Sequence, residues 1–352
     1  MTLRILLNRV KTDTLLKKNM TKFIKKEDLY KLLNSFLKDF EIIGPKQIAN
    51  KGIFYEPLES IEDLYLGELF AIEPAKKFFL ESSECLFHSG FLDGKATVQD
   101  APLPDKRRII IGLRPCEAKG LILLDKVFDS EYKDRSYINN REKSVIVGLA
   151  CAKPDKSCFC TSMDGSPTGS RGMDVLLFAV EDGFIVEIYS DKGKEAFSSL
   201  GKEPDEHQNK TLSAYKQKRS ELIGKNFKVP GDLSPIFESD YWDKVSFPCL
   251  SCGVCTYLCP TCHCFELVDE GRKMYRCNDG CAFSNFTLEA SGWNPRPTKK
   301  ERYRQRVFHK FDYFKKIFGE NLCVGCGRCI RHCPVKMDIS EIVSNAPSGA
   351  GK

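Results

Sequence analysis

The sequence holds no apolar run long enough to cross a membrane. Runs such as residues 121–124 are only a few residues long, where a spanning helix needs about 20. It has no G-x-x-x-x-G-K-[ST] loop, and no G-x-G-x-x-G follows a strand-like stretch. Nucleotide and flavin sites within this chain are therefore unsupported. No Ser/His/Asp signature is visible, and five histidines are too few to define a metal site. Nothing resembles a charged n-region followed by an apolar h-region, so a secreted, disulfide-linked protein is not indicated. Charge of one sign is also scarce: the formal net charge is +6 over 352 residues, which argues against a nucleic-acid role. Most of that excess lies in residues 1–19, where Arg4, Arg9, Lys11, Lys17 and Lys18 face only Asp13. Residues 1–25 read as a basic leader, either a disordered arm or a start assigned ahead of Met20; a targeting arm is the sharper alternative.

Cysteine is what the sequence has in quantity, 17 in all. Cys249, Cys252, Cys255 and Cys259 precede Pro260, and Cys323, Cys326, Cys329 and Cys333 precede Pro334. Each set reads C-x2-C-x2-C-x3-C-P, the ligand run of a cubane [4Fe–4S] cluster. Three cysteines at that spacing wrap a tight loop, so their thiolates converge on one core. The fourth ligates the neighbouring cluster in two-cluster ferredoxins. The expected sets are Cys249, Cys252, Cys255 and Cys333 for one cluster, and Cys323, Cys326, Cys329 and Cys259 for the other. Gly253, Gly325 and Gly327 suit loops in which backbone approaches a cluster closely. Zinc sites favour paired Cys-x2-Cys motifs with a long gap, so two such runs point to iron–sulfur. Metal-spaced cysteines without a signal peptide imply a reducing compartment, and the expected location is cytoplasmic.

Upstream, residues 107–113 form a β-branched run, and Arg114, Pro115 and Cys116 follow at once. Pro115 and Glu117 are helix-start signals for a helix to Phe128. Residues 144–150 are a second apolar run ending on Cys151. Strand, helix, strand is a βαβ unit with parallel strands. Cys116 and Cys151 then share the sheet edge where α/β folds commonly place ligands. Cys158 and Cys160 follow in a loop, giving four thiols at that edge. They read either as a third cluster site or as buried thiols with a redox pair, and their non-standard spacing leaves both open. Residues 174–180 and 184–190 flank a hairpin turn. An amphipathic helix is expected over 26–40, and residues 46–105 have no clear pattern. Cys85 within them is read as a small buried hydrophobe.

The two cysteine runs are separated by residues 260–322, which carry Cys262, Cys264, Cys277 and Cys281. These match no ligand template and are read as thiols packed beside the clusters. His263 and His332 adjoin cluster cysteines and could tune them through hydrogen bonds to sulfur. Residues 299–319 form a basic helical stretch. Arg302, Arg306 and Lys310 fall four apart, with Val307, Phe311, Phe314 and Phe318 on an apolar face. A charge run of this kind is usually a solvated face. A zinc-bound protein using that face on nucleic acid is the competing class of reading.

These residues resemble the iron–sulfur β subunit of cytoplasmic sulfhydrogenases and the corresponding iron–sulfur component of anaerobic sulfite reductases. The resemblance runs over about residues 40–340. Its marks are Gly112-Leu-Arg-Pro-Cys-Glu117, Cys158-Phe-Cys-Thr-Ser-Met163, Cys255-Thr-Tyr-Leu-Cys-Pro-Thr-Cys-His-Cys-Phe265, His309-Lys-Phe311 and Cys323-Val-Gly-Cys-Gly-Arg-Cys-Ile330. It implies cysteines matching 116, 151, 158, 160, 262, 264 and 281, which favours a third cluster at Cys116, Cys151, Cys158 and Cys160. Asn278 departs from the family, which tends to have Trp there, and Cys277 is extra. The resemblance also implies a non-catalytic subunit passing electrons between a flavin/NAD(P)H-binding subunit and a hydrogenase or a sirohaem or sulfur reductase partner. The alternative is a self-sufficient sulfur or sulfite reductase.

The expected architecture is mixed α and β. Residues 26–230 form an α/β domain with the βαβ unit. Residues 231–345 form a helical, dicluster ferredoxin-like domain with the long insertion 260–322, and 346–352 are a flexible tail. Two [4Fe–4S] clusters and the third-cluster candidate are the expected cofactors, with neither membrane nor nucleic acid as partner.

Overall fold

The computed structural model describes residues 20–347 apart from 198 and 200. Its strands, in chain order, are β1 (Met20–Lys25), β2 (Glu41–Ile48), β3 (Gly52–Pro57), β4 (Ser83–Leu92), β5 (Lys95–Asp100), β6 (Arg108–Leu113), β7 (Ser144–Leu149), β8 (Val175–Val180), β9 (Gly183–Ile188), β10 (Phe265–Glu270) and β11 (Lys273–Asn278). Among the described residues they form a seven-stranded sheet, ordered β1-β9-β8-β7-β6-β2-β3, and a four-stranded one, ordered β10-β11-β4-β5.

The large sheet is parallel at its centre, where β2, β6, β7 and β8 pair in one direction. Its strands are apolar at consecutive positions because both faces are covered. Ile109, Ile111, Val145 and Val147 pack against Leu29 and Leu33 of helix Lys26–Phe36. Ile110 and Ile146 face the other way, onto Ala118, Leu121 and Leu124 of helix Pro115–Phe128. Burying each large aliphatic side chain contributes about 1.5–3 kcal/mol. Helix Pro115–Phe128 starts where the sequence signals it, and the Glu117 carboxylate accepts from the Arg114 N–H at 3.1 Å. The β8–β9 hairpin is antiparallel.

Two features differ from the sequence reading. Residues 20–25, placed in the basic leader, are instead an edge strand antiparallel to β9, with Ile24 buried in the core. The expectation for residues 1–19 lies outside the described residues, as does most of that for 346–352. The small sheet joins distant segments: β11, from the insertion 260–322, pairs with β4. Arg276 on β11 is buried there and ion-paired to Glu84 and Asp134.

The basic stretch is one helical rod. It is α-helical over Lys299–Phe308, widens to a π turn over His309–Tyr313, returns to α over Phe314–Phe318 and stops at Gly319 with φ +77°. Val307, Phe308 and Phe311 pack with Trp242 and with Phe159 and Met163 from the α/β part.

Candidate metal centres

Each cysteine run closes around a cavity. The first cavity, about 500 Å3 with its open mouth included, is lined by Cys249, Cys252 and Cys255, and by Cys333 from the second run. Backbone N–H groups point at two of the sulfurs: Ser251 donates to Cys249 Sγ at 3.4 Å and Met337 to Cys333 Sγ at 3.3 Å. Cys252 is exposed at the rim. The second cavity, about 320 Å3, is lined by Cys323, Cys326 and Cys329, and by Cys259 from the first run. Gly325 N–H donates to Cys323 Sγ at 3.4 Å. Cys329 and Arg306 line both cavities, so the two are neighbours sharing a wall.

The donor chemistry fits an iron–sulfur cube. Among the described residues no three His, Cys, Asp or Glu side chains converge on a position for one metal ion; the sulfurs stand around cavities instead. The electrostatics fit as well. Arg306 is 4% exposed and Lys310 2%, and neither is ion-paired to a carboxylate among the described residues. Arg306 Nη1 donates to Cys262 Sγ at 3.4 Å, while its Nη2 is buried without a partner. Lys310 Nζ donates to Thr261 Oγ1 at 3.1 Å, and that oxygen lies 3.3 Å from Cys259 Sγ. Buried cations are costly unless compensated, and thiolate-bound clusters would supply the missing negative charge.

The titrations follow from this arrangement. Burial works against the Arg306 and Lys310 charges, but the facing cysteine thiolates outweigh it and hold both cations up. Burial pushes Cys323 up to about 12. Cys259 goes the other way: a hydrogen bond from the Cys262 thiol, against burial and with help from Lys310, Arg306 and Lys76, favours its thiolate.

The expected solvated face of the basic stretch is thus corrected. Arg306 and Lys310 point inward, and they are unavailable to nucleic-acid phosphates. The signal was in the sequence: positions 303, 306, 307, 310, 311 and 314 share one helical stripe, and all six are buried. His263 is also placed differently. Its Nδ1 meets the Thr261 carbonyl at 2.9 Å rather than a sulfur, and burial lowers its pKa to about 4.

At the α/β edge, Cys151, Cys158 and Cys160 are buried. Burial raises the Cys160 thiol to about 12, with Cys158 and Cys151 pushing the same way. Cys116, also raised by burial, is affected by Cys326 as well as Cys160. The loop carrying Cys158 and Cys160 is zipped onto the second cysteine run. Phe159 N–H donates to Gly325 O at 2.9 Å, and Arg331 Nη1 donates to Ser157 Oγ at 2.8 Å and Cys326 O at 3.1 Å. Gly325 has φ +66°, and a Cβ there would come within 2.6 Å of Phe159 O and Cys160 N. On the far side, Tyr215 Oη and Arg219 Nε are buried without hydrogen-bond partners among the described residues; the Arg219 charge draws the Cys151 thiol down against burial. Orphaned donors beside the Cys151 thiol suit an anionic group.

The remaining cysteines divide. Cys85 and Cys277 lie on the small sheet, Cys277 Sγ 3.5 Å from Ser83 Oγ. Cys262, Cys264 and Cys281 are half-buried near the cavities, with Cys281 raised to about 11 by burial.

A family model described as 4Fe-4S dicluster domain matches residues 248–337, which span all eight run cysteines. The chain is 32% identical over 319 residues to sulfhydrogenase 2 subunit beta of Pyrococcus furiosus, covering 88% of this chain and 92% of the relative. The chain belongs to the sulfhydrogenase β-subunit family. This β subunit is an iron–sulfur protein with [4Fe–4S] clusters. No solved structure matches the chain. Among its described residues no helix is long and apolar enough to cross a membrane.

Proposed function

We propose that this chain is a cytoplasmic electron-transfer subunit that accepts electrons from a flavin/NAD(P)H-binding subunit and delivers them to a catalytic one, or runs in reverse. Cys249, Cys252, Cys255 and Cys333 hold one [4Fe–4S] cluster. Cys259, Cys323, Cys326 and Cys329 hold the other. Cys116, Cys151, Cys158 and Cys160 are the candidate ligands of a third. The clusters, when bound, supply one-electron redox chemistry. The observation that carries the reading is the shared wall: two cysteine-lined cavities meet at Cys329 and Arg306.

The chain's own residues bind, insulate and align. Ser251, Met337 and Gly325 N–H groups orient the sulfurs and draw off charge. Phe159, Val324 and Ile339 line the second cavity and keep water out. The exposed Cys252 rim gives a partner access to the first cavity, and the α/β edge adjoins the second. The three sites therefore read as a line, from the α/β edge through the second cavity to the open rim. The catalytic partner is a hydrogenase, or a sirohaem or sulfur reductase subunit.

Anaerobically prepared protein is expected to be brown. It should contain roughly eight to twelve irons with matching acid-labile sulfide, the content of two or three cubanes, and give paramagnetic signals on reduction. A folded, colourless protein with stoichiometric zinc overturns the reading. The proteins that co-purify without oxygen identify the catalytic partner.

A further inference from the structure

The two cavities are unequal in charge. Arg306 lines both, but Lys310 lines only the cavity of Cys259 and Cys323. Its charge reaches the cysteine through an oxygen: Lys310 Nζ to Thr261 Oγ1 at 3.1 Å, and Thr261 Oγ1 to Cys259 Sγ at 3.3 Å. Lys76 approaches the same corner, its Nζ on the Cys262 carbonyl at 2.5 Å. No carboxylate cancels Arg306 or Lys310 among the described residues, and both are nearly sealed from water. Among the described residues, the first cavity has Arg306 as the only cation in its wall, an exposed ligand at its rim, and apolar neighbours such as Leu250, Val254 and Val335.

Reduction adds one negative charge to a cluster. A fixed cation in a dry site favours that charge more than the same cation beside water, because the interaction scales inversely with the local dielectric. Hydrogen bonds toward sulfur act in the same direction. Solvent also eases reduction of the first cluster, reaching the exposed Cys252 most and the half-buried Cys249, Cys255 and Cys333 less, but the second has a further full, uncancelled charge in its wall.

Resting on the two-cluster reading above, we propose that Arg306 and Lys310 make the cluster of Cys259, Cys323, Cys326 and Cys329 the more easily reduced of the pair. An electron held by the pair settles there, whichever way the chain is run. Arg306 sets the common level of both clusters, and Lys310 sets the step between them.

The test is a redox titration of the full anaerobic chain, followed by paramagnetic resonance, with iron and sulfide counted in every sample. Lys310→Gln is expected to move the higher of the two cluster potentials negative and leave the lower in place. Arg306→Gln moves both. Lys310→Arg and Arg306→Lys restore them, which a merely space-filling role would not require. A third centre adds its own step, removed by Cys116→Ser. Should Lys310→Gln lose iron, Thr261→Val keeps the lysine but removes the relaying oxygen, and the same step should fall by less. Full iron with an unmoved higher potential in Lys310→Gln or Thr261→Val, or a shift of the lower one instead, overturns the proposal. Wild-type protein lacking two clusters overturns the underlying reading instead.

Discussion

The chain assembles sulfur in two ways. In the C-terminal runs, three of four cysteines lie within seven residues, so a single loop brings them together. At the α/β edge, Cys116 and Cys151 come from the ends of β6 and β7, and Cys158 and Cys160 from a loop that leans on another part of the molecule. The first kind of site depends on local backbone geometry, the second on sheet register and on packing between segments more than 150 residues apart. Damage to tertiary structure should therefore separate them, the edge failing first.

Iron content draws the sharpest line. Cys326→Ser should remove roughly four irons, and so should Cys116→Ser or Cys158→Ser if the edge holds a cube. An unchanged count in the latter two leaves the edge as buried thiols. The packing between the two regions is next. Arg328, 1% exposed, pairs at 3.0 Å with Glu117, 2% exposed, between Cys116 and the second run. Arg328→Ala leaves the buried Glu117 carboxylate with hydrogen bonds from Tyr55, Ala75 and Arg114 but without its cation, and should cost about 3 kcal/mol, the low end for a broken buried pair, in denaturant unfolding; Glu117→Ala deprives the cation of its carboxylate to similar effect. Gly325→Ala should cost roughly 1–3 kcal/mol from its left-handed backbone and lift the 157–160 loop. Glu117→Ala lies outside the second run, so selective loss of the edge irons is its expected readout, and equal loss from both regions contradicts the ordering.

The smallest effect is in acid. Hydrogen bonds from Arg171 and from Lys126 (2.5 Å) outweigh burial and depress Glu320 to about 2 from an ordinary 4.5. A depressed carboxylate stabilises the fold fully above its unfolded value, and that share disappears as pH falls from about 4.5 toward 2. Glu320→Gln should lie closer to wild type at pH 3 than at pH 6 in unfolding midpoint. A gap that stays constant with pH excludes this linkage.

The contrast also explains what could be read from the sequence. The βαβ unit was legible because β6, its turn and its helix are contiguous, and because Ile109 to Ile111 are apolar on both faces. The wall cysteines were legible for the same local reason. The small sheet was not: β5 is exposed along its length, so no buried alternation marks it, and the other neighbour of β4 is β11, nearly two hundred residues further on. Strand β1 was hidden because the basic character of residues 1–19 was carried on as far as Lys25, across the apolar positions Phe23 and Ile24 of a sheet edge. The inward position of Arg306 and Lys310 was hidden because the four-residue spacing sets them on a line with the half-buried Arg302, which reads as a solvated face, although each also adjoins an apolar neighbour, Val307 or Phe311. Burial of cations follows from what they face, and here they face sulfur.

Each cavity borrows its fourth cysteine from the other run, and this interlock bears on how the molecule is made. A growing chain released only as far as Pro260 can complete neither enclosure, since both wait for the segment beyond Cys323. Metal delivery is thereby deferred until the long intervening stretch has been synthesised and folded back. A half-finished chain presents open thiols, but no vessel to fill.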